Sequence, residues 1–269
     1  MKGARKVNEF RGRYVFVAGL HRTGTSLLAG MLADHPSIAA IEDAPVPENE
    51  GCYLQGGIPH TALHGRPGHY ATDPQQHLVE GCQYDTLATR RRIEADWSRW
   101  FSPQGCWRIE KSPVNLTRMR LYQNLFPTCQ FVVILRHPAI MAAALAKWVD
   151  DAPASVIEYA LDAYDLALDD LRHLHCIMVI RYEDLVSRDH LPALLAFLDL
   201  PASPGRVTLR DGNADYDAIP EMTASQRLRA ERLGYGPAGE VRHFVPIVRH
   251  PLRAVREATL AALAEPDPR

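Results

Sequence analysis

A chain of 269 residues is long enough for one large α/β domain or at most two small ones. With 46% hydrophobic and 23% charged residues it has the composition of a globular protein, which excludes a disordered or fibrous chain. Lys and Arg number 30 against 32 Asp and Glu, a formal net charge of −2, so the basic excess of a protein built to coat nucleic acid is absent. Net charge says nothing about placement, and a local basic pocket for a small polyanion stays open.

The N-terminus is basic (Lys2, Arg5, Lys6, Arg11, Arg13), and the apolar run Tyr14 to Leu20 stops at His21 and Arg22, too soon for a signal peptide. No stretch approaches the ~18 apolar residues of a membrane span. The five cysteines (Cys52, Cys82, Cys106, Cys129, Cys176) contain no C-x-x-C pair and read as reduced thiols. A cytoplasmic protein is expected.

Taken in chain order, YVFVA (14–18) reads as a buried strand, and SLLAGMLADH, stopped by His35-Pro36, as a helix. Residues 43–73 carry many Pro, Gly and His and no period, a long loop of the kind that covers a site. Asp73-Pro74 marks a helix start, with helical segments running to Phe101. CWRIE (106–110), QFVVIL (130–135) and CIMVI (176–180) read as further strands. Helical patterns separate them: Leu116, Met119, Tyr122 and Phe126 share a face, Ile140 to Val149 makes a second helix, and Ile157, Leu161, Tyr164, Leu168 and Leu171 a third. After Leu200 come turn-rich stretches and helices near 222–233 and 251–264. Strands alternating with helices predict an α/β fold with a central parallel sheet flanked by helices.

Between the first strand and helix lies Gly19-Leu20-His21-Arg22-Thr23-Gly24-Thr25-Ser26. Glycines let the backbone close on an anion, and the following helix N-terminus adds partial positive charge. The spacing matches a phosphate loop, G-x-x-x-x-G-K-[ST], except that Thr25 replaces the lysine that reaches the β/γ-phosphates. A nucleotide triphosphatase or ATP-using kinase is therefore disfavoured. The other strands end in Lys111-Ser112-Pro113, Arg136-His137-Pro138 and Arg181-Tyr182-Glu183-Asp184. In open parallel sheets ligands collect at carboxyl strand ends, so Arg22, Lys111, Arg136 and Arg181 are expected to share an anion site.

GLHRTGTSLLAGML resembles the 5′-phosphosulfate loop of sulfotransferases that use 3′-phosphoadenosine 5′-phosphosulfate, and FPTCQFVVILRHP resembles their 3′-phosphate segment. EKSP, RYEDL and PENEGCYLQ resemble further stretches of the same family, in family order across residues 14–187. The resemblance implies a P-loop nucleotide-binding-like fold in a single domain over 1–269. Within it lie the phosphosulfate loop 19–26, an acceptor-side loop with helices over 43–104, and a C-terminal cap over 201–269. It also implies that Gly19, His21, Arg22, Thr23, Gly24, Thr25 and Ser26 bind the donor's phosphosulfate end, that Arg136 binds its 3′-phosphate, and that Arg22 and Lys111 act on the leaving oxygen. The expected reaction moves a sulfuryl group to a hydroxyl on a small-molecule, carbohydrate or natural-product acceptor. It calls for no divalent metal, because no β/γ-bridging charge has to be neutralised.

Two positions depart from the family pattern. A serine that helps hold the 3′-phosphate is Ala144 here, with Lys147 and Trp148 one turn on as possible substitutes. The histidine base of the cytosolic small-molecule branch is Pro113. Other branches take a glutamate from the segment after the first helix, which makes Glu50 the preferred base and Glu48 the second. Gly51 is expected to allow a tight turn that aims Glu50. A phosphotransferase with a degenerate loop and a catalytically silent nucleotide-binding protein remain as alternatives. His60, His64 and His69 lack the zincin glutamate and read as loop residues. Arg90-Arg91-Arg92 and the acidic set Asp150, Asp151, Asp162, Asp165, Asp169 and Asp170 read as solvated helix faces, and Trp97, Trp100 and Trp107 as packing.

Overall fold

The apolar runs form strands because their alternate residues have two separate apolar layers to enter. The computed structural model describes residues 12–102, 105–202 and 209–264. Its strands are β1 (Arg13–Ala18), β2 (Ile38–Ala40), β3 (Trp107–Lys111), β4 (Gln130–Leu135), β5 (Ile177–Arg181) and β6 (Ile247–Arg249). They make one sheet in the order β2-β3-β1-β4-β5-β6, parallel except for β6, which runs antiparallel on β5. The helices are α1 (Thr25–Ala33), α2 (Leu87–Trp97), α3 (Met119–Leu125), α4 (Pro138–Leu145), α5 (Pro153–Asp170), α6 (Tyr182–Ser187), α7 (Leu191–Phe197), α8 (Ala224–Glu231) and α9 (Arg253–Ala264).

Tyr14, Phe16 and Ala18 of β1, with Phe131, Val133 and Leu135 of β4, enter the layer made with α2, α3, α4, α5 and α8. Val15 and Val17, with Val132 and Ile134, enter the layer made with α1, α6, α7 and α9. This period of two, buried on both sides, is what a parallel sheet requires. Trp97 and Trp107 are fully buried; Trp97 stacks on Phe126 at 5.9–6.4 Å from Tyr14 and Tyr122.

Several elements differ from their sequence reading. The helix expected from Asp73-Pro74 does not form: Asp73 Oδ1 accepts the Gln75 N–H at 2.9 Å, a cap-like turn that goes no further, and the helix begins only where Thr86 caps α2 through the Thr89 N–H. β2, β6, α6 and α7 are too short to show a period. The acidic face of α5 is not simply solvated. Arg229 of α8 binds Asp162 and Asp165 at 2.7 and 2.8 Å, and Asp170 is buried against His77 and Arg120. Among the described residues no helix is long and apolar enough to cross a membrane.

Strand order fixes where a ligand can go. From β1 the chain crosses to β2 and β3 on one side, then returns to β4 on the other. The crossovers diverge at the carboxyl end of β1, which opens a crevice there. Lys111 ends β3 beside Val17, and Arg136 follows β4, so both flank the loop after β1. Arg181 lies one strand further out and does not join them, contrary to the expected four-cation site. It is 2% exposed, donates to Asp184 at 2.7 and 2.9 Å, and caps the Leu233 and Gly234 carbonyls at 3.2 and 3.0 Å. Glu183 beside it accepts from the His137 N–H, Asn213 Nδ2 and the Tyr235 hydroxyl. The RYED sequence is thus a clamp that fastens residues 213 and 233–235 to the sheet.

Replacing Arg181 with Met should lower unfolding stability by about 3–5 kcal/mol, because Asp184 and two carbonyls lose a buried partner. Urea unfolding followed by tryptophan fluorescence measures this, and an unchanged midpoint would contradict the clamp.

Candidate functional site

The loop after β1 is held in a shape few residues tolerate. Gly24 has φ +98°, and a side chain there would meet the Tyr182 ring at 2.7 Å. Gly19 is needed for closeness, since a Cβ would lie 2.5 Å from Thr23 Oγ1 and 2.7 Å from the Ile134 carbonyl. The Thr23 hydroxyl is fully buried and donates to the Leu20 carbonyl at 2.7 Å. It therefore braces the turn and is not available as the ligand group expected of it. Thr25 and Ser26 open α1, where the first-turn N–H groups have no helical acceptor and the helix dipole is positive.

His21, Arg22, Gly24, Thr25 and Ser26 form one wall of a cavity of about 400 Å³. Glu48, Glu50 and Pro113 make the second wall, Arg136 and Trp148 the third, and Tyr182, Gly212, Asp215 and Tyr216 close it. Arg22 sits at φ +69°. Its guanidinium reaches the Tyr216 hydroxyl at 3.3 Å, lies 5.3 Å from the Trp148 ring, and leaves a buried Nε without a partner. Arg136 is 4.5 Å over the Tyr182 ring; it donates to Asn213 Oδ1 at 2.8 Å and to the Arg22 carbonyl at 2.6 Å. Among the described residues neither guanidinium has a carboxylate at ion-pairing distance, and Asp215 is taken by Arg210.

Lys111 is 8% exposed, with Nζ 2.8 Å from the Glu48 carbonyl and 3.8 Å from Glu50 Oε1. Burial raises the Glu50 carboxyl to about 7 even though Lys111 pulls the other way. Glu48 is exposed and accepts from Ser26 Oγ at 3.2 Å. The tight turn lies at Glu48 and Asn49 (φ +50° and +52°), and not at Gly51 as expected. Gly51 is needed for another reason. Its N–H donates to the buried Glu110 at 2.9 Å, and a side chain would meet Glu110 Cγ at 2.7 Å. Glu110 also takes Ser112 Oγ and Asn115 Nδ2, the latter at 2.7 Å. Burial also depresses the His21 imidazole to about 4, with Lys111 adding to the effect, so the ring is neutral at pH 7.

Some expected residues are not brought in. Lys147 is exposed, 5.6 Å over the Trp148 ring, and does not line the cavity; Gly19, Thr23 and Lys111 are not among its lining residues either. Ala144 is buried in α4. His60, His64 and His69 line no part of this cavity, and among the described residues no group of His, Cys, Asp and Glu is arranged to hold a metal ion. Tyr182, Asn213 and Tyr216 were not singled out in the sequence. Only the aromatic after a strand-end arginine, in RYED, carried any signal.

The Glu50 carboxyl ionises at about 4.5 in the unfolded chain and near 7 in the fold. Wild-type stability should therefore fall, relative to Glu50→Gln, as pH rises from about 4.5 to 7, by up to about 3 kcal/mol. Denaturant melts of both proteins at pH 5 and pH 8 test this; a pH-independent difference would show that the carboxyl is not perturbed.

No curated protein matches the chain. Among solved structures, the sulfotransferase domain of the Synechococcus PCC 7002 olefin synthase superimposes with a TM-score of 0.51 at 17% identity, over 83% of this chain and 94% of that one. The sulfotransferase from Alicyclobacillus acidocaldarius follows at 0.46 and 18%, covering 81% and 93% of the two chains. At such identities the first shows likeness of fold, the P-loop-like sheet with its flanking helices, and the second carries no argument. A sequence profile described as the sulfotransferase family matches residues 14–204, which take in the loop, Glu50, Lys111 and Arg136. With a match over more than half its length, this chain belongs to the sulfotransferase family.

Proposed function

We propose that the protein transfers the sulfuryl group of 3′-phosphoadenosine 5′-phosphosulfate to a hydroxyl of a small-molecule acceptor. Family membership supports sulfuryl transfer in general. The observation that carries the choice of donor is the pair of guanidiniums without carboxylates, Arg22 and Arg136, on one cavity beside a helix N-terminus. A donor with a phosphosulfate at one end of its ribose and a phosphate on the 3′-oxygen offers an anion to each.

In this reading the α1 N-terminus, Thr25 and Ser26 hold the 5′-phosphosulfate, Gly19, Thr23 and Gly24 hold the loop's shape, and Arg136 holds the 3′-phosphate. The acceptor oxygen forms its bond to sulfur as the bond from sulfur to the phosphate oxygen breaks. Negative charge grows on that leaving oxygen, and in this reading Arg22 and Lys111 are the cations that receive it, Lys111 from beside Glu50. The acceptor's proton passes to Glu50, whose raised carboxyl is matched to work near neutrality. His21, neutral and facing the same cavity, is suited to hydrogen bonding and not to charge neutralisation.

Arg136→Ala should weaken adenosine 3′,5′-bisphosphate by roughly 10–100-fold and adenosine 5′-phosphate much less. Calorimetric titration of both nucleotides decides it, and equal weakening would remove the 3′-phosphate from Arg136. In an assay with labelled donor and an acceptor panel, Arg22→Ala and Lys111→Ala should each lower kcat by ~10²–10³ with little change in KM. Glu50→Gln should bind the bisphosphate normally yet lose ~10²-fold or more in kcat, together with the wild-type rise in rate as pH passes about 7. Transfer of labelled phosphate but not sulfate would replace this reading with a phosphotransferase.

A further inference from the structure

Arg118 lies between the 3-10 turn Pro113–Thr117 and α3, and it is 1% exposed. It faces a second cavity, of about 380 Å³, that shares no lining residue with the first. Its Nη2 donates to His60 Nδ1 at 3.1 Å and the Tyr122 hydroxyl lies beside the guanidinium as a neutral partner, while Nε and Nη1 are buried without a well-formed hydrogen bond. Among the described residues no carboxylate lies at ion-pairing distance from this guanidinium. The acids of the surrounding segments are engaged elsewhere: Glu80 and Asp170 by Arg120, and Asp85 by the Gly81 N–H and Asn124.

A guanidinium cannot shed its proton at physiological pH, so this is a buried positive charge without a counter-ion, an arrangement that costs several kcal/mol. The neutral His60 and Tyr122 solvate it only in part, and the rest of the lining fits an anion. Arg118 can only donate, so His60 Nδ1 must accept, and burial together with the Arg118 charge holds that imidazole neutral, near 3. His64 accepts the Thr61 N–H at Nδ1, which leaves an Nε2 donor on the cavity wall. Gln75, Gln76, Gln83 and Tyr84 complete a lining with amide and hydroxyl donors and no carboxylate.

We propose that Arg118 makes this cavity an oxyanion-binding site, taking a carboxylate, sulfate or phosphate group. The proposal does not rest on the donor or reaction assigned to the first cavity. The group can belong to a larger molecule or be a free inorganic ion, and the same titrations separate the two sources.

The test is thermal unfolding of the full chain titrated with sulfate, phosphate, acetate and benzoate, with chloride holding ionic strength constant. At ten times its Kd a site-bound anion should raise Tm by about 3–5 °C, and the rise should follow the logarithm of anion concentration above Kd. That rise should persist in an Arg22→Ala, Arg136→Ala double variant and vanish in Arg118→Gln. If Arg118→Gln does not fold, Gln76→Glu decides: a carboxylate placed on this lining should raise Tm without added anion and abolish the response. Response to benzoate and acetate assigns the site to a carboxylate-bearing molecule; with phenyl phosphate added to the series, tighter binding of the ester than of inorganic phosphate assigns it to a phosphoryl-bearing molecule, and the reverse to the free ion. No rise beyond that given by chloride, a rise lost in the Arg22, Arg136 variant, or one unaffected by the Arg118 and Gln76 changes would overturn the proposal. In crystals soaked with selenate, anomalous density beside Arg118 is expected.

Discussion

Glu110 is a carboxylate shut away from water, and three parts of the molecule converge on it. It ends in a cage of donors: the Gly51 N–H, Ser112 Oγ and Asn115 Nδ2, with Asn115 also bound to the Val17 carbonyl of β1. A buried acid left unsatisfied is costly, so these donors are held where the carboxylate needs them. The result is that the acidic segment 48–51 is fixed to the end of β3 next to Lys111. Trp97 reinforces the position by donating to the Gly51 carbonyl at 2.8 Å. Glu50 then sits with one oxygen toward Lys111 and the other accepting from Cys52 Sγ at 4.0 Å, at the edge of the cavity, and its burial follows from that placement.

On the other side of the loop the same logic operates with cations. Arg136 donates to the Arg22 carbonyl, which supports the positive φ of Arg22 and carries its guanidinium toward Tyr216 and Trp148. The backbone strain at Arg22, of order 1 kcal/mol or more, persists because β4 and the C-terminal segment overdetermine it. Cation–π contacts replace ion pairs for both arginines, leaving their charge uncancelled in the cavity.

Residue patterns carried the strands, the long helices and the loop, since apolar runs of five or six residues and a period of 3.6 are local properties. The places of Gly19 and Gly24 in the turn, and of Lys111 and Arg136 at strand ends, were legible because strand ends and glycine spacing are local too. What was not legible depends on strand order. Arg181 ends a strand just as Lys111 does, but two places from β1 it meets Asp184 and the carbonyls of residues 233 and 234, whereas Lys111 meets the Glu48 carbonyl and Glu50. Gly51 looked like a turn residue, while its real constraint, Glu110, lies 59 positions away. Tyr182, Asn213 and Tyr216 come from segments with no period, and Arg118 looks in sequence like any helix-surface arginine.

The clamp made by Arg181 and Glu183 also sets the order in which the cavity can appear during synthesis. Gly212, Asp215 and Tyr216 form its last wall, and that wall is anchored through Asn213 and, further along, through residues 233–235. β1, β3 and β4 leave the ribosome far earlier, with the loop of residues 19–26 on them, yet Arg136 then lacks Asn213 and Arg22 lacks Tyr216. A nascent chain therefore carries both guanidiniums for nearly a hundred residues of translation before the pocket they line closes.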